Sequence, residues 1–344
     1  MKSAIITIDL AKSVFELAIA NSHHRIKARK RLNLASFTTF MHQQPPSIIV
    51  MEACGSAHHW GRTFRGAGHE VVMLPAHYVR AYRRRHKTDR ADCEALLEAY
   101  RCEGIKPVPV KSIEQQELQQ LHRLREQWKR TRLARMNFIR GVLREQGIPL
   151  PEGQSSALKE VHVHLNNLSL ITLQLLQPVL DELKQMEANI QTIEKQLALF
   201  TRKNPNVQRL RTVPGIGLLT STAMVASIGK PDYFQGGRQL SSWLGITPRE
   251  NSSGNRRHLG GITKQGNTYL RTLLIHGART VLTFAKKAIK AGKPLNRLQH
   301  WAINLEKRVG HNKAAVAIAN KLARIAWACW KNEANYQVDY GSAS

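Results

Sequence analysis

Acidic side chains are scarce in this chain. Its 344 residues carry 24 Asp and Glu against 52 Lys and Arg, a formal net charge of +28. That excess is far beyond what solubility requires and calls for a polyanionic partner, nucleic acid first. Cysteine is also scarce: the four cysteines form no CxxC pair and no zinc spacing. This excludes a disulfide framework and a thiolate zinc site, and leaves reduced thiols of a cytoplasmic protein. Long apolar runs are missing. No stretch reaches the roughly 18 uninterrupted apolar residues of a spanning helix, so no membrane partner is expected. The opening MKSAIITIDLAK has too short an apolar run for a signal peptide. No GxxxxGK[ST] motif is present, which excludes a P-loop nucleotide site. The 15 histidines are scattered, and His23–His24 and His58–His59 are adjacent pairs rather than i, i+4 ligands. They read as structural or phosphate-contacting groups.

What is present suggests two or three domains. Residues 4–9, 14–20 and 25–32 read as three strands joined by short turns. SFTTFMHQ is helix-like. SIIVME (47–52) has the continuous apolar character of a buried strand, a helix through Trp60 and Phe64 follows, and VVML (71–74) is a further strand. The order predicts a mixed α/β sheet. Asp89–Arg101 reads as helix, and GIKPVPVK closes the unit. A long helix starts at Ser112 in a Ser-x-x-Gln capping box and stops at Gly147 and Pro149. After Pro178, Leu183, Met186, Ile190, Ile193, Leu197 and Phe200 step by threes and fours, the spacing of a coiled-coil seam. An antiparallel hairpin follows, packed on itself or paired between subunits. The expected units are 1–108, a coiled-coil section 109–205, and a mainly helical unit 206–344. In the last, Asn267 is expected to cap a helix after the polar loop 247–267.

Three acidic positions stand where an α/β sheet exposes them. Asp9 ends the first strand, Glu52 ends the buried strand, and Asp89 and Asp92 lie one helical turn apart. Alone, the last pair reads as a solvated helix start. As an ordered set, the four carboxylates suit Mg²⁺, which takes hard oxygen ligands and serves phosphoryl transfer. The basic run Arg83, Arg84, Arg85 and Lys87 would then hold a nucleic-acid backbone. The turn PGIG, with Gly215 and Gly217, reads equally as a tight turn and as a helix–hairpin–helix-like phosphate cradle. Loop 247–267 gathers Ser252, Ser253 and Gly254 with Arg249, Arg256, Arg257, His258 and Lys264. By composition it is first a flexible phosphate-contacting loop, because serine is a weak nucleophile without activation. The four cations Arg249, Arg256, Arg257 and Lys264 are candidates for phosphate contact and transition-state stabilisation.

Taken together, "ITIDLAKSVFELAI", "VMEACGSAHHW", "HKTDRADCEAL", "LRTVPGIGLLTSTAMVASIG", "LSSWLGITPRENSSG" and "GGITKQGNTYLRTLLIHGA" resemble the DEDD-type transposases of bacterial insertion sequences. This is the IS-one-ten group, to which the Piv DNA invertase is related. The likeness runs nearly end to end. It implies a RuvC/RNase H-like metal-binding domain, a coiled-coil section and a C-terminal transposase domain. It implies that Asp9, Glu52, Asp89 and Asp92 bind Mg²⁺. It also implies that a serine, at the position of Ser253, attacks DNA to form a covalent phosphoserine intermediate; Ser252 beside it is the ambiguity. The resemblance further implies donor and target DNA as substrates, a non-coding bridge RNA as guide, a homo-oligomer (dimer or tetramer), and a cytoplasmic, nucleoid-associated location.

Two other readings use the same residues. A metal-dependent junction-resolving nuclease would keep the acids and use Ser253 only as a phosphate contact. An architectural nucleic-acid-binding protein would need none of the acids. A site-specific invertase is the nearer alternative within the recombinase class.

Overall fold

Three short strands in succession form an antiparallel meander: Ile5–Leu10 (β1), Val14–Ala20 (β2) and Ile26–Asn33 (β3). On the other side of β1, Ile48–Glu52 (β4) and Glu70–Leu74 (β5) add in parallel, giving the order β3-β2-β1-β4-β5. The computed structural model describes residues 4–83 and 88–338. By its contacts the chain divides into two units, one ending at Ile113 and one starting at Glu114.

The sheet is covered on both faces, which is why β1 and β4 are continuous apolar runs. One face sets Ile6, Ile8, Phe15, Ile49 and Met51 against helices Leu34–His42 (α1) and Ala57–Gly66 (α2). Phe15 and Phe37 stack there with ring centroids 4.1 Å apart. The other face sets Ile5, Ala20, Val50 and Val72 against Ala95, Leu96 and Ala99. Those residues lie on Asp89–Arg101 (α4), which follows the single turn Ala76–Val79 (α3). Segment 105–111 returns along β5, where Val108 N–H donates to Met73 O at 2.7 Å.

In the second unit, Ile113–Glu145 (α5) and Leu170–Lys203 (α7) run antiparallel, with Gln154–His164 (α6) in their connection. The direction is visible in the ion pairs: Arg125 meets Glu194, Arg132 meets Glu187, and Arg135 meets Glu182. Leu183 and Ile190 are 2% and 4% exposed, so the seam is filled within the chain. Toward the turn, Leu176, Leu180 and Leu183 pack with Met136, Ile139 and Leu143 of α5 and with Val161 of α6. Toward the other end, Ile193 and Leu197 pack with Leu118. Helix α7 starts before the expected point. Ser169 caps it, accepting from Thr172 N–H at 3.3 Å, and Pro178 lies inside. An internal proline costs about 3 kcal/mol. Leu176 and Leu180, buried on either side of it, supply packing that offsets that cost. Helix α6 was not foreseen; its one apolar stripe, Ala157 and Val161, is too short to stand out from sequence.

The rest of the unit is helical: Pro205–Arg211 (α8), Leu218–Ile228 (α9), Gly237–Trp243 (α10), Thr268–Lys290 (α11), Arg297–Val309 (α12) and His311–Lys331 (α13). Their shared core is rich in Ala and Leu. Small residues let backbones approach closely, as where Gly215 meets Gly277 of α11. A Cβ on Gly277 would lie 2.0 Å from Gly215 O. A polar knot ties the hairpin root to this core. His122 Nδ1 lies 3.0 Å from Tyr269 Oη, and its Nε2 lies 3.0 Å from Thr222 Oγ1. Burial pushes His122 down to about 4, so it is neutral at physiological pH. The loop expected at 247–267 instead contains a two-stranded hairpin, Pro248–Glu250 (β6) and Leu259–Ile262 (β7). Asn267 caps α11 as expected, accepting from Leu270 N–H at 3.0 Å. Among the described residues, no helix is long and apolar enough to cross a membrane.

Two outcomes follow from this packing. Gly277→Ala should lower the melting temperature by roughly 5–10 °C, because overpacking costs about 1–3 kcal/mol. Gly217→Ala, whose Cβ meets open space, should stay within about 1 kcal/mol of the parent; thermal denaturation reads both. Leu183→Glu should melt the hairpin at any protein concentration, since its site is filled from the same chain. Circular dichroism across a dilution series checks this, and a melting point that shifts with dilution would mean the seam pairs between copies.

Candidate active site

The acids come together at one edge of the sheet. Strands β1 and β4 are parallel, with Ile8 opposite Met51, so the next residues, Asp9 and Glu52, stand side by side at the carboxyl edge of the sheet, Asp9 still paired with Glu16 and Glu52 with Leu74. Open α/β sheets bind ligands at that edge. Helix α4 brings the other two. Thr88 caps it by accepting from Ala91 N–H at 3.2 Å. Asp89 and Asp92 then sit in its first turn, where the helix dipole favours carboxylates. The helix is fastened to the sheet by two buried bonds. Thr7 Oγ1 donates to Cys93 O at 3.1 Å, and Cys93 Sγ donates to Glu16 O at 3.2 Å. Arg29 adds a 2.6 Å ion pair to Glu94.

This crowding shows in Asp9. Burial, then the neighbouring charges of Asp92, Asp89 and Glu52, push its carboxyl from 3.8 up to about 6, against the opposing pull of Arg83. Two arginines now answer the negative charge. Arg83 pairs with Asp92, and Arg31 lies 3.8 Å from Asp89. Asp92 Oδ1 is buried and has no well-aligned hydrogen bond, only that ion pair. Among the described residues, no three His, Cys, Asp or Glu side chains converge as a ligand group. The donor chemistry nonetheless fits a hard divalent cation. The four acids are all carboxylates, they repel one another, and one buried oxygen has only an ion pair.

Sequence reasoning missed Glu16 and Arg31. In register, Asp9 stands opposite Glu16 and Glu16 opposite Arg31, so the three form a row across β1, β2 and β3. A cavity of about 440 Å³ beside the row is lined by Glu16, Arg29, Arg31, Thr88, Asp89 and Arg90. The basic alternation of RIKARKRL was the available signal. Of the basic run expected to hold a nucleic-acid backbone, Arg83 is engaged with Asp92. Arg84, Arg85 and Lys87 lie outside the described residues.

The serine pair occupies the end of the β6–β7 hairpin. Ser253 and Arg256 exchange backbone hydrogen bonds of 3.3 and 3.2 Å around a tight turn. Gly254, at φ +55, supplies its left-handed corner. The two hydroxyls differ. Ser252 Oγ donates to Glu250 Oε1 at 2.9 Å and accepts from His258 N–H at 3.2 Å, while Arg257 Nε donates to the same Glu250 oxygen at 3.2 Å. Ser253 is exposed, and its hydroxyl has no hydrogen-bond partner among the described residues. Arg256 and Arg257 are exposed in the same turn, and Arg249 and Lys264 are exposed toward the other end of the hairpin. Arg249 reaches Thr263 O at 3.4 Å, and Lys264 holds a left-handed backbone at φ +57. Within PGIG, Gly215 is accounted for by its contact with Gly277, whereas Gly217 opens α9 exposed and without a side-chain cap.

The raised Asp9 carboxyl has a testable sign. Between about pH 4 and 6 the folded state keeps a proton that the unfolded chain has released, so stability falls as pH rises through that window. In chelated buffer, Asp9→Asn should therefore melt higher than the parent at about pH 7.5 and equally at about pH 4. A gain at both values would assign the effect to something other than the carboxylate.

Two family models match the chain. A DEDD-type IS110 transposase model covers residues 6–147, and a model of the transposase IS116/IS110/IS902 family covers 207–292. A probable family 20 transposase of Pseudomonas aeruginosa is 39% identical over 98% of this chain and 99% of its own. The transposase for insertion sequence element IS1111A of Coxiella burnetii is 34% identical over 97% of this chain and 91% of its own. The transposase for insertion sequence element IS1328 of Yersinia enterocolitica is 31% identical over 94% and 95%. The first model spans the unit whose sheet edge gathers the four acids and the second matches the helical unit, and the chain belongs to the IS110/IS116/IS902 family of insertion-sequence transposases.

Proposed function

We propose that this transposase cuts and rejoins DNA through a covalent bond to Ser253. The observation that carries the reading is the contrast within the hairpin: Ser252 is tied on both sides, whereas Ser253 presents a hydroxyl without a partner in an exposed turn that also holds Arg256 and Arg257. In the first step Ser253 Oγ forms a bond to phosphorus, the bond to one sugar oxygen breaks, and that oxygen leaves as a hydroxyl after taking a proton. In the second step a sugar hydroxyl of the recombining strand attacks the phosphoserine and releases Ser253. Each step exchanges one phosphodiester for another, so no nucleotide hydrolysis is needed. Arg249, Arg256 and Arg257 stabilise charge on the non-bridging oxygens.

Asp9, Glu52, Asp89 and Asp92 would hold divalent cations, for which Mg²⁺ is the natural choice with carboxylate ligands. Bound there, such ions would supply Lewis-acid charge for phosphoryl transfer. Arg83 must release Asp92 for that carboxylate to serve as a ligand. The net charge of +28 suits a nucleic-acid load larger than one duplex. A non-coding bridge RNA pairing with donor and target DNA fits that load, as does assembly of several copies on nucleoid DNA. Inversion instead of transposition would use the same chemistry on differently arranged sites.

The test is recombination in cells with the native flanking DNA, read by sequencing donor–target junctions, together with a denaturing-gel search for protein–DNA adducts. Ser253→Ala should remove adducts and lower junctions by on the order of 10⁴-fold or more. Ser252→Ala should stay within about tenfold of the parent, having lost only a structural tie. Asp9→Ala should abolish junctions. Junctions that survive in Ser253→Ala but not in Asp9→Ala would replace this reading with a metal-dependent nuclease.

A further inference from the structure

A groove of about 1460 Å³ runs between the β6–β7 hairpin and helix α13. One wall is a stripe of α13 at helical spacing, Lys313, Ala317, Asn320, Lys321 and Arg324, whose opposite face is buried in the core. Arg238 and Trp301 stand on other walls, and Gly260 and Gly261 of β7 leave part of the surface as bare backbone. No carboxylate lines it. Among the described residues, none of Arg238, Lys313, Lys321 and Arg324 makes an ion pair. Four unneutralised cations therefore face one concave surface. Lys321 Nζ sits 4.2 Å from the centre of the Trp301 ring. Burial, then the charges of Arg297 and Arg324, pull the Lys321 ammonium below its usual range, so an anion placed there would relieve it.

We propose that this groove binds a short unpaired segment of the DNA strand flanking the phosphate that Ser253 attacks. A basic channel interleaved with an indole is the chemistry that recognises single strands: cations follow the phosphates, and an aromatic face takes a base. The groove is larger than a small-molecule pocket of about 300–1,000 Å³ and has room for several nucleotides. Its position names the segment. Strand β7, which forms part of the wall, begins six residues after Ser253. Ser253 pairs with Arg256 across the turn, so at about 3.3 Å per residue the three residues from Arg256 to Leu259 put the hydroxyl on the order of 10 Å from the groove's edge, roughly one or two nucleotides along a strand. The naming of this strand rests on the serine reading; the groove's preference for single-stranded nucleic acid does not.

The test uses the full-length chain carrying Ser253→Ala, so that no chemistry intervenes. Probes are a short fluorescein-labelled oligothymidylate, an oligouridylate of the same length, and a duplex of that length. Polarisation and tryptophan quenching are read across a salt series. The parent should bind oligothymidylate with quenching. Arg238→Glu with Lys313→Glu, both exposed positions, should weaken that binding at least about tenfold and reduce the salt slope by about one to two. Duplex binding should change by less than about threefold. Trp301→Leu should weaken binding without changing the salt slope; an unchanged melting temperature certifies its fold, and the charge variants stand if it does not fold. Unaltered oligothymidylate affinity in the charge variants overturns the proposal. So does an equal loss for duplex, or tighter binding of oligouridylate. Junctions and adducts made by Ser253→Ala would sink the serine reading alone, whereas loss of binding in the groove variants would still stand.

Discussion

Four carboxylates held at one sheet edge repel one another, and much of the first unit serves to hold them there. Burial and the other three acids drive Asp9 up to about 6. Such crowding is unstable without counter-charge, and the fold supplies it in a form that can leave. Arg83 pairs with Asp92 and Arg31 approaches Asp89, each on a side chain long enough to swing away. The rigid parts are elsewhere: strands covered on both faces, and a helix pinned by Thr7 and Cys93. Strain concentrated at a functional edge, with stability drawn from the covered sheet, is the usual division in an active site.

The second unit solves a different problem. A serine proposed to meet DNA, as Ser253 is, has to be exposed, yet an exposed loop is imprecise. Here the hydroxyl rides on a two-stranded hairpin whose turn is closed by paired backbone bonds and whose neighbouring serine is spent on local hydrogen bonds. The helices of this unit pack closely through small residues, as Gly215 against Gly277 shows. The His122–Tyr269–Thr222 knot, buried and neutral, ties the long hairpin to that core without introducing a charge.

The sheet was legible from sequence because its inner strands are short and apolar and its basic edge strand β3 follows β2 across a short polar turn. The four acids were legible because each falls where such a strand or helix ends. Other features were hidden for physical reasons. Pro178 looks like a helix start, but buried leucines on both sides carry the helix through it. The β6–β7 hairpin reads as loop, since LGGI has little strand propensity and backbone pairing alone makes it a strand. Glu16 and Arg31 join the row beside Asp9 only through register across three strands, which no local pattern states. The contrast between Ser252 and Ser253 depends on which hydroxyl turns inward, and adjacent identical residues cannot show that in sequence.

That contrast also bears on control. On the hairpin, Glu250 is occupied by Ser252 and Arg257, and the remaining ionisable neighbours are arginines and the exposed His258. An arginine does not accept a proton at physiological pH. An alcohol with no engaged base is a poor nucleophile, and a field of cations alone lowers the barrier only when a phosphate is there to share it. If Ser253 is the nucleophile, the free chain is therefore inert toward casual electrophiles, and reactivity arrives with the substrate. The same logic holds at the acids, where Arg83 occupies Asp92 until something displaces it. On that reading a transposase with an exposed serine and acids covered by arginine would be quiet by default, which suits an enzyme whose misplaced cut would leave broken DNA.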